Sequence, residues 1–385
     1  MKFFHLSDLH IGLKLLNRDM LEEQRYILEK VIAYAVQENV DAVVIAGDIY
    51  DKAVPSAEAV GVFDSFISRL TEALPDTVVM LISGNHDSAG RVDCYRNILS
   101  RQHVHMIGRP PRTTADYIEK VTCTDAYGAV NFYLLPFVKP SMIREITGTH
   151  EDGTNLSYDE SICALLSREN IDERARNVIV SHQFYLPRGM SADEIERADS
   201  EIRTVGNIDE VRAELLRSFD YAALGHIHKP MTVGCETIRY SGTPIACSVS
   251  EAGQAKHVVM VELGEKGQKP QITKLPLEPL HQVRIEQGML EEVLQRPSED
   301  YVSVILTDKQ DLDVIDLQDR LHLAFPNLLE IRRESQVKHA PCEQLYVDEW
   351  LQPMDLCLAF LGECEDDELE LLQEVLNVAK EVTGR

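Results

Sequence analysis

Short apolar runs and amphipathic stretches alternate through the first part of the chain. The runs "MKFFHLSDLH", "VDAVVIAGD" and "TVVMLISGNHD" are nearly continuous in apolar residues and end in polar ones. Between them, "MLEEQRYILEKVIAYAVQE" and "SAEAVGVFDSFISRLTEAL" place apolar residues at helical spacing, the second with Pro55 near its start. Strands apolar on both faces predict a sheet covered on both sides, so the pattern predicts an α/β fold with functional residues beyond the strand ends. Further strands are expected at 177–182, 221–226, 236–242 and 256–264, as a second sheet packed on the first. Residues 183–208 are polar and mixed and read as a surface excursion near those strand ends. Its Arg188 and Arg203 read either as solvated or as phosphate contacts.

The pattern changes near "KLPLEPLHQVRI", where Pro276 and Pro279 mark a boundary. After it, strand, helix, strand, helix and strand follow in short order, enough for a small α+β domain. From about residue 350 the chain reads as helical and acidic. Three segments are expected: a catalytic domain over 1–276, a small α+β domain over 277–345, and an acidic helical segment over 346–385. In "DDELELLQEVLNVAKEV", Leu369, Leu372, Leu376 and Ala379 share one helical face. That face needs a surface, either on its own domain or on a partner.

Composition narrows the function classes. The 385 residues carry a formal net charge of -26, which argues against a basic surface holding nucleic acid unaided. A phosphate-handling enzyme remains open, because metal ions or a partner can supply the positive charge. No apolar run is long enough to cross a bilayer. Asp8 and His10 interrupt the stretch where a signal peptide would keep its apolar core, so a cytoplasmic protein is expected. The eight cysteines form no close CxxC pair and read as reduced, structural thiols.

The candidate chemistry lies where apolar runs end. "SDLHIG" offers Asp8 and His10, "AGDIYD" Asp48 and Asp51, and "SGNHDS" Asn85, His86 and Asp87; "VSHQ" offers His182, and "LGHIHKP" offers His226 and His228. A carboxylate at a buried strand end is costly unless something positive meets it. One such Asp could cap a helix. Five groups of Asp, Asn and His are the mixed oxygen and imidazole ligands that two divalent ions would take. Gly47, Gly84 and Gly225 precede ligand candidates, where a glycine permits a sharp turn or close approach. Other histidines lack such a pattern, and His5 reads as a packed or hydrogen-bonded core residue. Phe184 and Tyr185 could stack on a base, with Phe184 also readable as core.

In order, "DLH", "GDIYD", "GNHD", "SH" and "GHIH" resemble the five signature blocks of the calcineurin-like metallophosphoesterases. The wording of "FHLSDLHIG", "SHQF", "LGHIHKP" and "YSGTPI" is similar to the SbcD group of bacterial nucleases within that family. "YSGTPIACSVSEAG" departs mildly from the group's usual pattern. The resemblance implies a two-sheet β-sandwich flanked by helices, with a small α+β capping domain and a C-terminal helical segment. It implies that Asp8, His10, Asp48 and His228 hold one metal ion, and that Asp48, Asn85, His182 and His226 hold another, with Asp48 bridging. His86 would lie beside the phosphate, or would itself be a ligand. Asp87 would orient His86 by a hydrogen bond, and Asp51 would support the site from behind. Manganese suits this ligand set, with iron and zinc open.

The resemblance further implies metal-dependent DNA exonuclease and endonuclease activity in repair and recombination. The partners would be DNA and an SbcC-type coiled-coil ATPase, in a heterotetramer containing a nuclease homodimer. The C-terminal helix would dock on the ATPase. The dimer face would use residues 54–70 and the helix after Gly90, although Val60, Phe63, Phe66 and Ile67 read equally as core. A small-molecule or cyclic-nucleotide phosphodiesterase, a protein phosphatase and a non-catalytic scaffold are the alternative functions.

Overall fold

Alternation of strand and helix builds two six-stranded sheets packed face to face. The computed structural model describes residues 1–151, 153–187, 189, 201, 209–308, 314–333, 369 and 372. The main strands begin with β1 (Lys2–Leu6), β2 (Ala42–Ala46), β3 (Val78–Ile82), β4 (Val104–Ile107), β5 (Glu119–Asp125) and β6 (Gly128–Leu135). They continue with β7 (Arg176–His182), β8 (Tyr221–Gly225), β9 (Met231–Val233), β10 (Cys235–Tyr240), β11 (Lys256–Glu262) and β12 (Gln271–Leu277). One sheet runs β12-β11-β1-β2-β3-β4 and the other β9-β10-β8-β7-β6-β5. In the first, β1 to β4 are parallel and β11 and β12 are added antiparallel. In the second, β6, β7, β8 and β10 are parallel, with antiparallel strands at both edges.

The period of two along each strand divides the core. Phe3, Val44, Met80, Phe132, Val180, Tyr221 and Val259 fill the space between the sheets. Their neighbours Val43, Ile45, Val79 and Leu81 face outward onto α1 (Leu21–Glu38) and α2 (Ala57–Ala73). On the other outer face, Tyr133, Ile179 and Leu224 meet Ile143 of α3 (Pro140–Thr147) and Ile162 and Leu165 of α4 (Tyr158–Ser167). Burial of both faces explains the near-continuous apolar strands. Ser56 caps α2, its Oγ accepting from the Ala59 N–H at 3.2 Å.

Some elements escape the sequence pattern. The β5–β6 hairpin and the helices α3 and α4 carry no signal that the reading picks up. β5 is a sheet edge with only Val121 and Cys123 buried, so it lacks a continuous apolar run. Pro276 lies inside β12, opposite His257. It is tolerated because β12 is an edge strand, where a missing N–H need not break a ladder.

A third sheet is parallel throughout: β13 (Val283–Gly288), β14 (Tyr301–Leu306) and β15 (Leu328–Arg333). It has its own core of Val293, Val302, Val304, Leu321 and Phe325, the last near the end of α5 (Val314–Ala324). Polar contacts tie it to the main body, among them His281 Nδ1 at 2.7 Å from Glu23 Oε1 and a hydrogen bond from Arg18 to the Pro326 carbonyl at 3.1 Å. Among the described residues, no helix is long and apolar enough to cross a membrane. Leu369 and Leu372 are helical; Leu376, Ala379, Arg188 and Arg203 lie outside the described residues.

Candidate metal centre

The parallel order of the strands brings the five polar groups to one place. Asp8 and His10 follow β1, Asp48 follows β2, and Asn85 and His86 follow β3 in the first sheet. His182 ends β7, and His226 and His228 follow β8 in the second. Carboxyl ends of parallel strands point to the same edge, so the two sheets together present one cluster there. Backbone bonds lock the first loops: the Asp8 N–H donates to the Gly47 carbonyl at 2.9 Å and the His10 N–H to the Asp48 carbonyl at 3.0 Å. His182 Nδ1 donates to the Ala46 carbonyl at 2.7 Å and so joins the sheets.

The close approach requires glycine, at Gly47 and Gly84 among others. Gly47 has φ +88°, and a Cβ there would run into the His182 ring. A Cβ on Gly84 would collide with the Asp48 carboxylate and backbone. Four neighbouring residues accept left-handed backbone without being glycine: Asp8 at φ 52°, His10 at 43°, Asp48 at 49° and His226 at 106°. Such conformations cost about 1–3 kcal/mol each and persist where the surroundings enforce them, typically at functional sites.

Inside the cluster, acceptors face acceptors. His10 Nε2 and His228 Nε2 lie 3.1 Å apart. His182 Nδ1–H donates to Ala46, so in the neutral ring Nε2 brings a lone pair to Asn85 Oδ1 at 2.9 Å and to Asp48 Oδ2 at 3.3 Å. His226 Nδ1 reaches the same Asn85 Oδ1 at 2.9 Å. Asp48 Oδ2 is also 3.7 Å from His10 Nε2, so one carboxylate oxygen stands between the two groups. The other, Oδ1, accepts the His86 N–H at 2.8 Å. Asp8 and Asp48 are fully buried, and among the described residues neither pairs with a lysine or arginine.

The titration behaviour shows where positive charge is wanted. Burial pushes the Asp8 carboxyl up, against the pull of His182 and His228. Burial also opposes charge on Asp48, yet His182 and His10 hold it well below the usual carboxylate range. Burial works against a charged His182, but Asp48 overrides it and pushes the ring up to about 9. His10 is brought down to about 3, chiefly by burial, and stays neutral and able to donate a lone pair. A proton or a metal cation can satisfy such converging lone pairs.

The donor set fits metal. Ligand atoms of Asp8, His10 and His228 lie within 4.8 Å of one another, as do those of Asp8, Asp48 and His182, and of His10, Asp48 and His86. These groups overlap, two of them through Asp48, and support a two-metal site of mixed oxygen and nitrogen ligands. Residues 1–230 match the family described as calcineurin-like phosphoesterase.

The chain belongs to the calcineurin-like phosphoesterases.

Two relatives within reach of this phosphoesterase match most of its length. The D subunit of the SbcCD nuclease of Staphylococcus saprophyticus is 30% identical over 342 residues, which cover 87% of this chain and 85% of that protein. Its counterpart of the same name in Staphylococcus epidermidis is 29% identical over 338 residues, covering 86% and 85%. A solved structure, described as GAP50, the anchor in the inner membrane complex of Plasmodium, matches at TM-score 0.41 and 12% identity, covering 87% of this chain and 98% of that one. That likeness is too coarse to bear on the site.

Several residues of this phosphoesterase depart from the sequence expectation. Asp87 does not hydrogen-bond to His86. Its carboxylate accepts from the N–H groups of Ile49 and Tyr50, each at 3.0 Å, and of Gly84 at 2.9 Å. It clamps the Asp48 loop to the Asn85 loop, and burial, with Asp48 nearby, pushes it up to about 6. His86 instead places Nδ1 3.0 Å from the Asp51 carbonyl. Phe184 is buried, in keeping with its reading as core, and Tyr185 is buried too, so neither has a face open to a base. The apolar set on α2 divides: Phe63 and Phe66 are core, Ile67 is partly buried and Val60 is 44% exposed. His5 is core as expected, with Nδ1 3.0 Å from Tyr221 Oη and Nε2 3.1 Å from the Leu224 carbonyl.

Sequence reasoning missed Glu251. It is buried, 3.4 Å from His228 Nδ1, and takes Lys256 Nζ at 2.6 Å and Thr243 Oγ1 at 3.0 Å. His228, Cys247 and Glu251 also bring possible ligand atoms together, but there the ammonium of Lys256 already supplies the cation. Glu251 stands within "YSGTPIACSVSEAG", but the partner that links it to the site, His228, lies 23 residues away, and no local pattern marks the pairing.

Proposed function

We propose that this phosphoesterase is a DNA nuclease working with an SbcC-type coiled-coil ATPase. The observation that carries the reading is the extent of the similarity to the two SbcCD nuclease proteins. It covers about 85% of both chains and runs well past the 230 residues of the family match, so it includes sequence that phosphoester hydrolysis alone does not need. The third sheet, in the segment read as 277–345, would then act as a cap that shapes the DNA path. The segment read as 346–385 would dock on the ATPase.

In this reading Asp8, His10, Asp48 and His228 hold one ion, and Asp48, Asn85, His182 and His226 the other. Such ions, with manganese favoured, would neutralise phosphodiester oxygens and acidify an attacking water. Asp48 would belong to both ligand sets, and its Oδ1 already accepts the His86 N–H. The Asp51 carbonyl accepts a hydrogen bond from His86 Nδ1–H, which leaves Nε2 as the ring nitrogen available to the substrate. In its doubly protonated form His86 would donate from Nε2 a hydrogen bond to the phosphoryl group or a proton to the leaving oxygen. Asp87 supports this indirectly by holding the loops on which Asp48 and His86 stand.

The net charge of -26 shapes the division of labour. A duplex carries about one charge per 1.7 Å, so an acidic nuclease would be repelled and the ATPase would supply DNA affinity. The chain would act as a homodimer within a heterotetramer. The test is a paired assay of the purified chain in manganese, with and without the ATPase. Slow, weakly selective DNA cleavage alone and ATP-dependent duplex cleavage with partner are expected. Vigorous hydrolysis of bis-p-nitrophenyl phosphate with no cleavage of any DNA, even with partner, would leave a small-molecule phosphodiesterase.

A further inference from the structure

Away from the metal centre, the edge of the sandwich carries an unusual group of cations. Arg239 on β10 stands in register with Ala223 of β8 and Thr232 of β9. Ala223 belongs to the core between the sheets, so Arg239 points into the same layer. From the other sheet, His257 shares a strand face with Val259 and Val261 of that core, and Lys274 lies opposite Val259. These side chains, with Pro230 and Thr232, line a cavity of about 290 Å³ with no carboxylate in its wall.

Arg239 is the decisive residue. It is only 7% exposed, and its Nε is buried with no hydrogen-bond partner. Among the described residues, neither Arg239 nor Lys274 forms an ion pair, and the nearby Glu236 is engaged by Lys269. A guanidinium whose Nε is shut off from water with no acceptor is a costly arrangement that a bound anion would relieve. Burial, with the cations on its flanks, lowers the His257 ring to about 4, so His257 adds no charge of its own at neutral pH. On a chain of net charge -26, a carboxylate-free cationic pocket is out of keeping with the rest of the surface.

We propose that this pocket binds a phosphate group, with Arg239 as its buried donor and Lys274 closing it from the exposed side. The planar fork of Arg239 suits the oxygens of a tetrahedral oxyanion. The site is separate from the metal ligands, although Pro230 follows His228 by two residues, and it does not depend on the nuclease reading.

Calorimetric titration of the full-length chain tests it, using inorganic phosphate and deoxyadenosine 5′-monophosphate, with metal loaded and after chelation. Phosphate bound by metal should vanish on chelation, whereas binding in this pocket should persist. Arg239→Gln and Lys274→Gln should each weaken the persisting event by about tenfold or more. Lys274 is exposed, so its variant carries the test even if Arg239→Gln folds poorly. Equal affinities would identify free phosphate as the occupant, and tighter binding of the nucleotide a nucleotide terminus. No binding after chelation, or binding indifferent to both substitutions, would overturn the proposal.

Discussion

Glu251 Oε1 lies 3.4 Å from Nδ1 of His228, on the side of the ring opposite the Nε2 that faces His10. A carboxylate behind an imidazole fixes its tautomer and strengthens it as a ligand. The same carboxylate neutralises the buried Lys256. Glu251→Ala should therefore do two things. It should cost about 3–5 kcal/mol of stability by leaving Lys256 unpaired. It should also weaken one of two bound ions by about 10–100-fold and leave the other in place. Thermal melting of the metal-free chain and metal content after dialysis measure these separately. Two ions retained at wild-type occupancy would show that Glu251 only stabilises the fold.

His86 and Asp48 should separate catalysis from metal binding. His86→Ala is expected to keep both ions and lose about 10²–10⁴-fold in turnover, the range of a general acid. Asp48→Ala should lose metal together with activity, because its Oδ2 stands between both ligand groups. Elemental analysis beside bis-p-nitrophenyl phosphate hydrolysis decides, and loss of an ion from His86→Ala would make His86 a ligand.

His5 should shape the acid limb of stability. Its ring is brought down to about 3 from an ordinary 6.5, with burial the main cause. Between those values the unfolded chain binds a proton that the folded one does not. Stability is therefore full above pH 6.5 and falls as pH drops toward 3, by up to ~1.4 kcal/mol per pH unit from this residue. His5→Gln does not titrate and should show a flatter curve between pH 6.5 and 4.5 under the same metal load. Parallel denaturation curves for the two proteins would rule out this contribution.

Removal of residues 350–385 should leave hydrolysis of bis-p-nitrophenyl phosphate within about twofold of the full chain, since no expected ligand lies there. It should abolish co-purification with the ATPase and ATP-dependent duplex cleavage, if Leu369 and Leu372 belong to a docking face. A truncated chain that precipitates or loses its melting transition would show that the segment packs on its own domain.

The sequence by itself determined what local chemistry can specify. Runs such as "VDAVVIAGD" must be buried on both faces, and Asp8, His10, Asp48, Asn85, His182, His226 and His228 stand out because polar residues at apolar strand ends are costly without a cation. His5 was legible as core because it lies inside an apolar run and outside the ligand pattern. Tertiary structure alone decided what depends on partners distant in the chain. It turned the Asp87 carboxylate toward the backbone of Ile49, Tyr50 and Gly84, set Glu251 behind His228, and left Arg239 facing His257 and Lys274 across the sheet edge. It also drew β5 and Pro276 into sheet edges that no periodicity marks. A strand's burial is written in its own residues, but a side chain's hydrogen-bond partner is set by which strands become neighbours, and that is fixed only when the two sheets close on each other.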